Sequence, residues 1–313
     1  MTHDTGPAPN TRSPVAGFTL GSLCTGTGGF DLAVERTSGA AMVWCAEVMP
    51  AAARVIEARF PGVPNFGDLN ALDPQALPRV DVISAGFPCQ PVSVAGKRLG
   101  ADDPRYIWPR IAAITAHLRP KALVLENVPG LLSKGFDVVV QDLSEMGFDA
   151  EWGTVSAESA GAPHLRDRLF VFSWPADDHG AGHSPGRTSG TPPPRPATRR
   201  RFGVLPGPGG GLDPSWTDHA GSYSRRLREW ERATRPAPWP VAGDGDGTAS
   251  LAPEFAEWMM GLPHGWVTDP ALGLSPTQQL RLLGNAVVPQ AAELALTELA
   301  RRACAAVGIA EAA

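Results

Sequence analysis

Asp81-Val82-Ile83-Ser84-Ala85-Gly86-Phe87-Pro88-Cys89-Gln90 is a short apolar run that ends on a Gly-Phe-Pro-Cys turn. Val80–Ala85 is too short for a helix and is bounded by turn formers, so it reads as a buried strand. Four more runs share that pattern: Phe18–Cys24, Ala41–Ala46, Ala122–Leu125 and Leu169–Ser173. Between the strands lie helical patterns at Gly29–Arg36, Pro50–Arg59, Ile107–His117 and Phe136–Met146. This alternation predicts an α/β fold with a doubly wound, mostly parallel sheet. Cys89 then falls at the carboxyl edge, where open α/β sheets bind ligands.

The first strand runs into Leu23-Cys24-Thr25-Gly26-Thr27-Gly28-Gly29, a glycine turn that opens a helix. Such a turn lets a ligand approach the backbone and presents a helix N-terminus to electronegative groups. The spacing is not that of a dinucleotide site. Glu47 ends the second strand, where a carboxylate accepts ribose hydroxyls. Asp68, followed by Leu69, is placed at the end of a presumed third strand, within reach of an adenine amino group. Glycine turn and acids together suit an adenosyl ligand without a pyrophosphate, which S-adenosylmethionine satisfies.

Leu123-Val124-Leu125-Glu126-Asn127-Val128 brings a second reactive group to the same edge. Carbon 5 of cytosine is a weak nucleophile until a thiolate adds to C6 and a carboxyl group at N3 draws off electron density. Cys89 and Glu126 supply that pair, and Glu126 needs a raised pKa to carry the proton. Arg166 and Arg168 flank Asp167 before another strand; they are candidates to hold the base O2, orient Glu126 and meet phosphate.

With these motifs in this order, the chain resembles the DNA cytosine-5 methyltransferase family of bacterial and phage type. Gly284-Asn285-Ala286-Val287-Val288-Pro289 also matches. The resemblance implies a Rossmann-like, S-adenosylmethionine-dependent catalytic domain with a small loop-rich target-recognition domain, and a final helix packed back on the first half. It implies that Cys24, Glu47, Val48, Asp68, Pro88, Trp108, Asn285 and Val287 line the cofactor pocket, without a metal. It assigns catalysis to Cys89, Glu126, Arg166 and Arg168, and DNA contacts to Gln90, Ser93 and Arg105, the last paired with Asp103. A flipped-out base leaves a gap that Ser93 is a candidate to fill. Departures from the family pattern are Cys24 for Phe, Val48 for Trp, Tyr106 for Gly and His164 for Gln. Leu251–Pro263 looks like the family's supporting motif, with Trp258 and Met259 read as core.

The implied domains are a disordered N-terminus at 1–16, a catalytic domain at 17–174 plus 275–313, and target recognition at 175–274. Residues 175–250 are rich in Gly, Pro, Ser and Arg, with one helix around Tyr223–Ala233. The whole chain carries a net charge of −5, yet Arg187–Arg235 carries ten arginines against four acids, or +6. That local excess favours duplex DNA as the partner. Pro276–Ala303 reads as a turn followed by an apolar helix. The four cysteines show no paired spacing for zinc or disulfides. Absence of a signal-like or spanning segment predicts a cytoplasmic location, and the resemblance implies a nucleoid-associated monomer with a cognate restriction endonuclease among its partners. Two alternatives remain: an RNA (tRNA) cytosine-5 methyltransferase of the same fold, and a catalytically silent DNA-binding relative.

Overall fold

The computed structural model describes residues 17–88, 107–133, 135–176, 188–190, 221–243 and 249–307. Strands β1 (Thr19–Leu23), β2 (Ala41–Ala46), β3 (Val82–Gly86) and β4 (Ala122–Asn127) run parallel. Helices α1 (Gly29–Ser38), α2 (Pro50–Arg59) and α3 (Trp108–Leu118) lie between them in sequence. After α4 (Phe136–Glu145), strand β5 (Phe148–Ser156) passes over one position, and β6 (Asp167–Pro175) returns antiparallel between β4 and β5. With β7 (Thr188–Gly190) at one edge, the order is β2-β1-β3-β4-β6-β5-β7.

Both faces of the sheet are buried, which explains why its first strands read as nearly continuous apolar runs. One face carries Leu23, Ile83, Leu123 and Val171 and packs on Ile111, Ile114, Val139 and Leu143 of α3 and α4. The opposite face carries Leu20, Val82, Val124 and Phe170 and packs against Phe30 and Val34 of α1. Helix α8 (Pro289–Ala306) closes that face, resting on α1, β5 and β6.

The remaining described elements are α5 (Ser224–Ala233), the pair β8 (Val241–Gly243) and β9 (Ala249–Leu251), α6 (Pro253–Met259) and α7 (Pro276–Asn285). Trp230 of α5, Trp258 of α6, and Trp266, Val267, Leu272 and Leu274 beyond it belong to the α1–α8 core cluster. Residues 252–274, grouped with the second region by sequence, are therefore built into the core of the first. Trp258 is fully buried and donates its indole N–H to Arg235 O at 2.8 Å.

Three sequence expectations change. The presumed strand before Asp68 is a single bridge, Cys45 to Asn65, because Pro64 supplies only a carbonyl there. Strand β5 went unread because Phe148–Ser156 is largely polar and contains Gly153; it is ordered by nine consecutive pairings with β6. The C-terminal helix is two helices. A Ser275/Gln278 capping box starts α7, and Ala286–Val288 breaks it before Pro289, which disfavours helix in the preceding residue. None of the described helices is long and apolar enough to cross a membrane.

Gly21 lies opposite Trp44 in the β1–β2 ladder, and a Cβ there would sit 2.1 Å from the Trp44 ring. That indole is fully buried and donates to Pro78 O at 3.0 Å, so it has little room to move. Gly21→Ala should lower unfolding free energy by roughly 1–3 kcal/mol in urea titration. Trp44→Leu in the same chain should recover part of that loss.

Candidate active site

A cavity of about 570 Å³ opens at the carboxyl edge of β1–β4, the place that a doubly wound sheet leaves for a ligand. Its first wall is the glycine turn. Cys24 adopts φ 54° and Gly26 and Gly28 adopt φ 58° and 75°, so the chain folds tightly before α1 begins at Gly29. Cys24, Thr25, Gly26, Thr27 and Gly29 line the cavity. Leu23 lies fully buried below them, and Gly28 backs onto Phe60, whose ring a Cβ would meet at 2.5 Å.

Glu47 and Val48 form the second wall, after β2. The Glu47 carboxylate accepts the N–H of Gly26 and the N–H of Met49, each at 2.7 Å, and burial raises its pKa. It thereby ties the glycine turn to the start of α2. Asp68 and Leu69 also line the cavity, with Asp68 taking the Asn70 N–H at 2.9 Å. The Cys24 thiol is pushed up to about 12 by burial and by Glu47 and Asp68, so at neutral pH it is an inert thiol.

Pro88 closes the end of β3 and lines the cavity. Cys89, Gln90, Ser93, Asp103, Arg105 and Tyr106 lie outside the described residues. Trp108 does not line the cavity. It is 2% exposed, stacks near Phe87 at 5.7 Å and donates its indole N–H to Asp142 Oδ2 at 2.7 Å. Trp108 opens α3 with its ring in the α3–α4 layer, and the preceding Ile107 meets the cavity instead.

Glu126 and Asn127 end β4 at the same edge. Arg168 Nε lies 2.7 Å from Glu126 Oε1, both side chains nearly buried. Burial raises the Glu126 pKa, and the guanidinium groups of Arg168 and Arg166 only partly oppose it. Asn127, to which the sequence reading gave no role, donates its Nδ2 proton to Phe87 O at 2.8 Å. It thereby holds the backbone just before Pro88.

Arg166 and Arg168 part company in the structure. Arg166 Nη2 donates to Gly284 O at 2.7 Å and Ala286 O at 2.8 Å, around the α7–α8 break. Asn285, Ala286 and Val287 in that break form the last wall of the cavity. Arg166 therefore spans to the C-terminal segment, and among the described residues the Glu126 carboxylate is bonded by Arg168 alone. His164, beside them, is hydrogen-bonded through Nε2 to Met259 O at 2.9 Å, and burial lowers its pKa.

Further ties reach the glycine turn from far along the chain. Trp266 donates its indole N–H to Thr27 O at 2.8 Å. The loop bearing Trp266 is pinned by Glu257, fully buried, which accepts the N–H groups of Gly265, Val267 and Thr268 at 2.7–3.0 Å.

Asp31 is the functional candidate that sequence reasoning missed. It lies in the first turn of α1, lines the cavity and is 2% exposed. Ser84 Oγ donates to it at 2.5 Å, and Ser22 adds a second hydroxyl hydrogen bond. An acid in a first helical turn is favourable on local grounds alone, which hid it.

Burial pushes the Asp31 carboxyl from its ordinary 3.8 up to about 6, against the two hydroxyl hydrogen bonds. A raised folded pKa contributes stability below about pH 4 that is lost as pH rises through 6, up to about 3 kcal/mol. Asp31→Asn should therefore gain stability over the parent chain between pH 4 and 7. Glu35, Glu47 and Cys45 stay in both proteins, so the difference between their melting curves reads Asp31.

A family model described as C-5 cytosine-specific DNA methylase matches residues 18–200. The chain is 37% identical over 157 residues to the type II methyltransferase M.NgoBI of Neisseria gonorrhoeae, covering 49% of each chain. It is 28% identical over 307 residues to the type II methyltransferase M2.BsuMI of Bacillus subtilis, covering 85% of this chain and 71% of the relative. The match spans about half or less of the length of several of these curated relatives. Among solved structures, the S. pombe Dnmt2 methyltransferase has a TM-score of 0.62 at 15% identity, over 91% of this chain and 99% of that one. The architecture is thus the Rossmann-like methyltransferase fold. With a family match across more than half its length, the chain belongs to the C-5 cytosine-specific DNA methylase family.

Proposed function

We propose that this protein is a DNA cytosine-5 methyltransferase that uses S-adenosylmethionine, and that Cys89 and Glu126 carry the reaction. The observation that carries the reading is the buried Glu126–Arg168 pair, 2.7 Å apart, at the cavity edge beside Pro88. Retention of that pair argues against a silent relative.

The cavity fits the methyl donor. Its volume lies within the range of drug-sized ligand sites, roughly 300–1,000 Å³. Glu47 offers a carboxylate for ribose hydroxyls, and the buried Thr27 hydroxyl, without a partner among the described residues, awaits a polar group. When bound, S-adenosylmethionine supplies an electrophilic methyl on a sulfonium.

The chain's own residues prepare the base. Cys89 follows Pro88 directly and would add its thiolate to C6 of a flipped-out cytosine. Glu126, whose pKa burial raises, would hydrogen-bond N3 and draw off electron density, leaving C5 nucleophilic. Loss of the C5 proton and expulsion of the thiolate restore the aromatic ring. Arg168 holds Glu126 in place and, lining the cavity, would hold the base O2. Asn127 fixes the approach of the cysteine loop through Phe87 O.

Double-stranded DNA is the substrate favoured by the arginine-rich stretch 187–235. Within it, Arg225, Arg226 and Arg232 lie on the exposed face of α5, where phosphate attraction operates. We place target recognition in residues 175–250, with 252–274 acting as its support. The type II methyltransferases among the relatives favour a restriction-modification setting with a cognate endonuclease.

Labelled methyl transfer to duplex DNA and to tRNA, run in parallel, tests the reading; label in tRNA alone would overturn it. Cys89→Ser should abolish transfer and retain DNA binding. Glu126→Gln should slow the chemical step by about 10²–10⁴-fold in single-turnover assays.

The two arginines should separate kinetically. Arg168→Lys should act on kcat, because it disturbs the carboxylate at the reacting base. Arg166→Met should raise the cofactor KM about tenfold with kcat largely kept, since charged hydrogen bonds contribute roughly 1.5–3 kcal/mol.

A further inference from the structure

We infer that Asp31 is the counter-ion for the ammonium group of the amino-acid tail of the methyl donor, and that the Thr27 hydroxyl binds the same tail. The inference rests on the reading of the cofactor as S-adenosylmethionine.

The cavity is unbalanced in charge. Among the described residues four carboxylates line it, from Asp31, Glu47, Asp68 and Glu126, against one guanidinium, Arg168. Three of the acids are already engaged: Glu126 by Arg168, Glu47 by two backbone N–H groups, and Asp68 by the Asn70 N–H near solvent. Asp31 is deeper than any of these, and its hydrogen bonds come from neutral donors, the hydroxyls of Ser84 and Ser22 and its own backbone N–H. Among the described residues no cationic side chain pairs with it, and the charge that acts on it is another acid, Glu35. A buried carboxylate without a cation is costly, and a cationic ligand group beside it removes that cost.

An independent observation comes from Thr27. Its residue is 3% exposed and lines the same cavity, yet its Oγ1 has no hydrogen-bond partner among the described residues. Its backbone carbonyl is fixed by the Trp266 indole, so the side chain belongs to a rigid turn. Such orphaned hydroxyls are rare in interiors and await a ligand atom or water.

The chemistry of the tail completes the match. S-adenosylmethionine carries a sulfonium and an ammonium against one carboxylate, so it enters an acidic cavity with net positive charge. With Glu47 and Asp68 assigned to the nucleoside and Glu126 to the base, Asp31 and Thr27 are left for the amino-acid end. They lie along α1 and its turn, whose N-terminus favours the tail carboxylate.

Calorimetric binding of two nucleosides to the full chain tests this. S-adenosylhomocysteine keeps the tail, and 5′-methylthioadenosine lacks it. Asp31→Asn should weaken the first by roughly tenfold or more, as a lost charged hydrogen bond does, while affinity for the second holds within about twofold. Thr27→Val should act in the same direction with a smaller loss. The parent chain should show a comparable loss on a desamino homocysteine analogue, a comparison that needs no substitution. If that analogue binds like the parent ligand, or if Asp31→Asn weakens both nucleosides equally, the inference is overturned and Asp31 is structural. Failure of the parent chain to bind either nucleoside would instead overturn the cofactor reading, and this inference with it.

Discussion

The arrangement at the cavity depends on a carboxylate kept buried at the end of a strand without an unpaired charge. Glu126 sits at the carboxyl end of β4, and burial there favours its protonated form. Arg168 makes that burial tolerable, and only an antiparallel strand delivers it. Because β6 runs against β4, its first residues fall at the carboxyl edge, where Asn127 pairs with Leu169 and Arg168 comes next. A parallel strand in that place would bring its last residues, not its first, to this edge. The reversal of one strand and the chemistry of the site are the same constraint.

A second dependence runs between chain segments far apart in sequence. Arg166 holds Gly284 and Ala286, Trp266 holds Thr27, and Glu257 holds the loop that carries Trp266. Each bond joins a wall of the cavity to a segment more than a hundred residues away, or supports one that does. Cavity walls from the first and last parts of the chain are therefore tied together. Residues 252–274 are built into the same core and reach the glycine turn through Trp266.

Much of this was open to a reading of residues alone. The parallel strands were visible because burial on both faces makes them nearly continuous apolar runs. Strand β5 was not, since Phe148–Ser156 earns its place through pairing with β6 rather than through its own composition. Trp108 and Ile107 exchanged roles because the phase of a first helical turn decides which side chain meets the cavity. Arg166 and Arg168, two residues apart, look equivalent in sequence. Their different partners depend on where the α7–α8 break arrives.

The order and identity of the candidate reactive groups were determined by sequence: Cys89 after a strand, Glu126 at the end of another, a glycine turn followed by acids. These are local features, set by which residue ends which strand. Only the tertiary structure decided which groups share a charge environment. Asp31 is unremarked in sequence as a first-turn acid and becomes a buried carboxylate without a cation once Ser22 and Ser84 close over it. Desolvation and pairing depend on what packs around a group, and that is a property of the assembled chain.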